Sequence, residues 1–155
     1  MHIGLIGGIG VAATNTMLAS ATAAMATTLY MWWFKTKKPD PTMMCNGMLA
    51  GLVAITPAAG VVSPAGAVAL GFIASGLCYA AIQLKNRLGY DDSLDVIGVH
   101  LVGGILGSLL LGLFADRAVN AAGRNGLFAG GGLGLLGDQA IAVGATVVFS
   151  LVVTT

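Results

Sequence analysis

No glutamate occurs in this chain, and charge of either sign is scarce. Seven Lys and Arg stand against six Asp, and charged residues make up 8% of the 155. An ordinary soluble domain carries about 25%, so these few side chains cannot coat a water-soluble globule of this length. A disordered chain is excluded as well, because it needs high charge and low hydrophobicity. A net charge of +1, without a basic stripe and interleaved aromatics, excludes nucleic acid as a partner. The two cysteines, Cys45 and Cys78, lie in apolar runs and form no CxxC or Cys/His spacing. They read as small buried apolar side chains, and neither a metal site nor a cofactor is expected. No nucleophile or metal constellation points to an enzyme.

What the chain has instead is apolar mass: 57% hydrophobic residues, 24 glycines and a mean hydropathy of +0.91. In lipid there is little hydrophobic drive between helices, and small residues let backbones approach closely. The expected fold is therefore all-α: a polytopic membrane protein with about five transmembrane helices, its partner the membrane lipid. The spans are expected at Val11 to Phe34, Met43 to Ala59, Pro64 to Leu84, Ser93 to Ala115 and Gly137 to Thr155. Thr14-Asn15-Thr16 resembles an N-cap. Tyr30-Met31-Trp32-Trp33-Phe34 followed by Lys35-Thr36-Lys37-Lys38 has the pattern of a helix leaving the bilayer, aromatic rings first and cations after. Prolines 39 and 41 stop that helix. Thr56-Pro57 breaks the second span, and Gly60 to Gly66 turns the chain into the third. Ser93 is a plausible cap for the fourth, with Asp92 and Asp95 where the helix dipole favours negative charge. Asp116 to Leu136 reads as a short helix plus a surface loop. Lys35, Lys37, Lys38, Lys85 and Arg87 place the loops at 35–42 and 85–92 on the cytoplasmic side of the cell membrane, with Arg117 and Arg124 opposite.

The first 14 residues stand apart as an atypical N-terminal segment, preceding a transmembrane domain at 15–155. A short apolar run and Gly-x-Gly-x-x-Ala (Gly8 to Ala13) fit a strand, a tight turn and a phosphate-cradling helix start; they fit equally a Gly-rich entry to the first helix. The segment resembles the opening of aspartate/glutamate racemases over about 14 residues, which suggests a joined gene start. It lacks the basic n-region of a signal peptide.

From Asn15 onward a sequence of motifs runs in order: Asn46 to Gly60, Asp91 to His100, Gly103-Gly104-Ile105-Leu106-Gly107, Asn125 to Gly131 and Leu136-Gly137-Asp138-Gln139. On these residues the chain resembles the ammonium transporter (Amt/Mep/Rh) family, over its second half only. The resemblance implies the second half of an inverted-repeat fold. It also implies passage of ammonia after deprotonation of ammonium, and assembly as a homotrimer. His100 matches the second of two pore histidines; the first histidine, the outer Phe gate and the recruitment Trp match nothing in this chain. Because the family's pore lies between two halves, the isolated chain is expected not to conduct. The alternative is a structural remnant or an assembly partner of an intact transporter.

The residues themselves leave several choices open. An imidazole this deep in a span usually faces a cavity or a partner. His100 reads either as pore lining or as a side chain satisfied by a neighbouring helix, and the resemblance implies the pore. Helical spacing puts Val96, His100, Gly103, Gly104 and Gly107 on roughly one face. Thr56, beside carbonyls freed by Pro57, reads equally as pore-facing or not. Asp95 reads as a helix cap or packing residue ahead of a cation site, and Asn46 as interhelical glue. Gly47/Gly51 and Gly103/Gly107 are GxxxG packing pairs. Tyr30, Trp32 and Trp33 read as a membrane belt, and Asp138 as an interfacial charge.

Overall fold

The computed structural model describes residues 2–34 and 38–154, with side chains from residue 7 onward in the first stretch. Among these residues the helices are α1 (His2–Phe34), α2 (Pro41–Ile55), α3 (Pro64–Leu88), α4 (Val102–Phe114, preceded by a wide π turn at Ile97–Leu101) and α5 (Gly134–Thr154). The all-α expectation holds. Four helices are long and apolar enough to cross a membrane, and Pro41–Ile55 is a shorter apolar helix.

Helix ends follow local chemistry. Asp40 accepts the Thr42 N–H at 2.9 Å and Pro41 occupies the first turn of α2, where its missing N–H costs nothing. Ser63 caps α3 by accepting the Gly66 N–H at 3.2 Å, again with a proline following. Gly89, at φ 72°, closes α3 in the left-handed conformation that glycine adopts without strain. The α2–α3 hairpin tip is tied to the end of α4: the Asp116 N–H donates to the Val61 carbonyl at 2.8 Å, and Val62 bridges Ala115.

Small residues set the packing. A Cβ at Gly51 would fall 2.6 Å from the Ala19 carbonyl oxygen, one at Gly71 2.4 Å from the same atom, and one at Gly107 2.2 Å from that of Ala54. Backbone therefore lies on backbone where α1 meets α2 and α3, and where α4 meets α2. Ala19, Ala54, Ala58, Val62, Ala67, Leu70 and Leu110 share the main core. By contrast, α5 packs on α4 and contains no buried residue.

Several local expectations are corrected. The helix of α1 begins at His2, so no strand or tight turn forms before Ala13, and Gly7, Gly8 and Gly10 lie inside it. Asn15 is no cap. It is fully buried in mid-helix, and its amide donates to the carbonyls of Ala59 (2.8 Å) and Val62 (2.7 Å). The Ala59 and Val62 carbonyls belong to the turn beyond Pro57, and a buried acceptor must find a donor. Lys85 and Arg87 are the last turn of α3, so the loop begins only at Gly89. The short helix expected within 116–136 is a single 3-10 turn, Leu127–Ala129. Lys35, Lys37 and Thr155 lie outside the described residues.

Candidate functional site

The fourth span does not start at Ser93, whose hydroxyl bonds the Asp91 carboxylate at 3.3 Å. Its cap is Asp92: one carboxylate oxygen accepts the Val96 N–H and the other the Ile97 N–H, both at 2.9 Å. A carboxylate at this point also opposes the positive end of the helix dipole. The backbone then widens. The Val102 N–H reaches the carbonyl of Ile97, five residues back, which is the bond that defines a π turn. Such turns insert one residue into a helix and are frequent at functional sites.

His100 lies in this turn. Its neighbours Gly98 and Val99 are buried against α3, where a Cβ at Gly98 would meet Ile82 Cγ1 at 2.8 Å. The imidazole instead borders an open cavity of about 400 Å³ between α4 and α5, with Gly104 and Ser108 on one wall and Gln139, Val143 and Thr146 on the other. Among the described residues nothing hydrogen-bonds the imidazole. The walls are chiefly apolar. Thr146 Oγ1 is occupied by the Ala142 carbonyl at 2.8 Å within its own helix. Gln139, Thr146 and Ser150 recur at spacings of seven and four, one helical face, a polar stripe that the spacing alone makes visible in the sequence.

The face expected on α4 divides. Gly103 packs against Val53 and Cys78 and Gly107 against Ala54, whereas His100 and Gly104 face α5. Adjacent residues differ by about 100° around a helix, so Gly103 and Gly104 cannot both serve the cavity. Val96 is exposed and does not line it. Thr56 ends α2, exposed, with its hydroxyl on the Leu52 carbonyl at 2.7 Å, also away from the cavity.

Asn46, Asp95 and Lys85 meet at one end of the bundle. Asn46 Nδ2 donates to Asp95 Oδ2 at 2.7 Å, and Lys85 Nζ pairs with Asp95 Oδ1 while donating to the Asp92 carbonyl at 2.7 Å. The Lys85 and Asp95 side chains are each 13% exposed. Gly47 and Gly51 lie against α1, at Thr27 and Ala19. The Tyr30 ring packs on Phe72 and Tyr79 and its hydroxyl donates to the Phe72 carbonyl at 3.2 Å. Trp32 and Trp33 are exposed. Asp138 pairs with Arg124 at the surface. Both cysteines are free, and among the described residues no group of three or more His, Cys, Asp or Glu could hold a metal.

A family model described as "Ammonium Transporter Family" matches residues 4–155. The chain is 43% identical over 142 residues to a protein named ammonium transporter of Bacillus subtilis, covering 91% of this chain and 34% of that protein. It is 38% identical over 146 residues to the ammonium transporter Amt1 of Archaeoglobus fulgidus, covering 93% and 36%. The crystal structure of Saccharomyces cerevisiae Mep2 superposes with a TM-score of 0.89 at 32% identity, over 95% of this chain and 34% of that one. The chain thus spans about a third of the length of these proteins, and the Bacillus subtilis and Archaeoglobus fulgidus relatives are named as transporters and not as enzymes.

Proposed function

The chain belongs to the ammonium transporter family and is a multi-pass membrane protein, and from that premise we propose that it forms one wall of a path by which ammonium nitrogen crosses the membrane as ammonia. The observation that carries this reading is the imidazole of His100 on a chiefly apolar cavity of about 400 Å³. An ammonium ion entering such walls would lose its hydration without compensation, a penalty far larger than the one a neutral ammonia molecule meets. Ammonium therefore gives up its proton to bulk water before entry, and ammonia alone passes into the cavity. The imidazole, with one ring nitrogen to donate and one to accept, then hydrogen-bonds the passing ammonia. Thr56 and Val96, placed away from the cavity, act on the framework rather than on the path.

The cavity is open on one side, and α5 buries none of its residues. We assign a covering surface to other transporter structure, arranged as homotrimers. The basic residues beside α1 and α3 set those ends on the cytoplasmic side of the cell membrane. Alone, this wall does not conduct. The same unburied α5 also supports a second reading, in which the chain packs on an intact transporter and moves nothing itself.

Replacing the matching third of the Bacillus subtilis relative with this chain tests the proposal. The chimera should take up labelled methylammonium in liposomes, His100→Ala should lower uptake at least tenfold, and the 155 residues alone should stay at background. A chimera that inserts into the bilayer but takes up nothing overturns the transport reading and favours the second. Robust uptake by the chain alone overturns the single-wall part.

A further inference from the structure

Asp95 is the one non-glycine residue at positive φ among the described residues, at φ 54°. Side chains with short polar groups reach this region more readily than others, but it stays uncommon and needs a reason. The reason lies in its surroundings. Its carboxylate is held by Asn46 of α2 and Lys85 of α3, and the same ammonium group grips the preceding loop through the Asp92 carbonyl. From this point the chain turns directly into the π turn: the Asp95 carbonyl accepts the Val99 N–H at 2.8 Å, and the Ile97 carbonyl accepts that of Val102.

We propose that Asp95 is a positioning residue for His100: clasped between Asn46 and Lys85, it fixes the backbone turn that starts the π segment and so aims the imidazole at α5. One inserted residue rotates everything on one side of it by about 100° relative to a regular helix. If the turn relaxes to a regular α-helix, the residues before Val102 shift around the axis while those after it stay. Gly103 and Gly107 anchor the later part on α2. The earlier part meets α3 at Gly98, beside Ile82, and is capped by Asp92; the turn by which it enters the π segment is set at Asp95, in the clasp. The functional meaning of the aim rests on the reading of His100 as a path residue, but the aim itself is measurable without transport.

The test uses the full chain with Cys45→Ala and Cys78→Ala, reconstituted in bilayers and oxidised. His100→Cys is paired in turn with Gln139→Cys, Val143→Cys and Thr146→Cys; Ser108→Cys, paired with Val147→Cys or Ser150→Cys, is the control farther along α4. With Asp95 intact, position 100 should cross-link to at least one α5 partner. Asp95→Ala should slow that cross-link at least tenfold or move it to another partner, leaving the pairs of position 108 unchanged. Asp95→Asn, which tolerates left-handed φ and still accepts from Lys85, should restore most of the original pattern. An unchanged pattern at position 100 in Asp95→Ala overturns the proposal, as does the lack of any cross-link from position 100 when Asp95 is present. Loss at both positions overturns it too, because Asp95 would then hold the bundle and not the turn. A chimera that fails to transport while these cross-links behave as stated rejects the path reading and leaves the clasp standing.

Discussion

Helices α1 to α3 and α5 are built from the same kinds of residue, yet they are held by opposite means. In the first group alanine and glycine bring backbones together, and buried donors reach carbonyls, as at the Asn15 Nδ2 and at Thr27 on the Ala23 carbonyl, although Asn15 Oδ1 is buried without a partner among the described residues. In α5 nothing is buried, and a Cβ at Gly137 or Gly144 would meet no atom within 4 Å. A rigid frame and a loosely attached wall meet along α4, whose one face is close-packed and whose other face carries His100. Glycine content therefore does not report packing by itself; what matters is whether another backbone lies opposite.

The largest break in this contrast is expected at Gly107. Gly107→Leu forces a side chain onto the Ala54 backbone, and unfolding in mixed detergent should show a loss of about 3 kcal/mol or more. Asn15→Ala comes next. It strips the donors from two carbonyls and should lower stability by about 1–2 kcal/mol, with new amide exchange at residues 59–62. At Gly144 the sign reverses: Gly144→Ala meets no neighbour and relieves glycine's helix penalty, so a gain of about 0.5–1 kcal/mol, read in the same assay, is expected. The smallest effect belongs to Arg124→Ala. The Arg124–Asp138 pair is 63% and 59% exposed, and its loss should cost less than about 0.5 kcal/mol and vanish at high salt. A large cost there, or a neutral Gly107→Leu, would erase the distinction between frame and wall.

Much of the architecture was legible because its signals are local. Prolines 39 and 41, the Thr56-Pro57 break and the turn from Gly60 to Gly66 mark helix ends by their own backbone chemistry, whereas the third span runs past Leu84 to its cap at Gly89. The failures share a different cause. Asn15 has the local look of a cap, but its partners sit 44 and 47 residues away. Lys85 reads as a loop cation until Asp95 is brought to it. The π turn escaped because periodicity assumes 3.6 residues per turn, and its origin is a clasp among three segments. Gly103 and Gly104 lie on different faces because adjacent helical residues differ by about 100°, and which of them meets a neighbour depends on tertiary packing. His100 itself stood out from depth and type alone, but which helix it faces did not.

Asn15 carries a consequence for how the protein is made. Its amide enters the bilayer with α1, while the carbonyls it serves belong to a turn synthesised more than forty residues later. Until that turn arrives, a bare carboxamide in hydrocarbon is costly. The amide of α1 is therefore satisfied in hydrocarbon only when the turn joining α2 to α3 is in place, so the three helices depend on one another for burial.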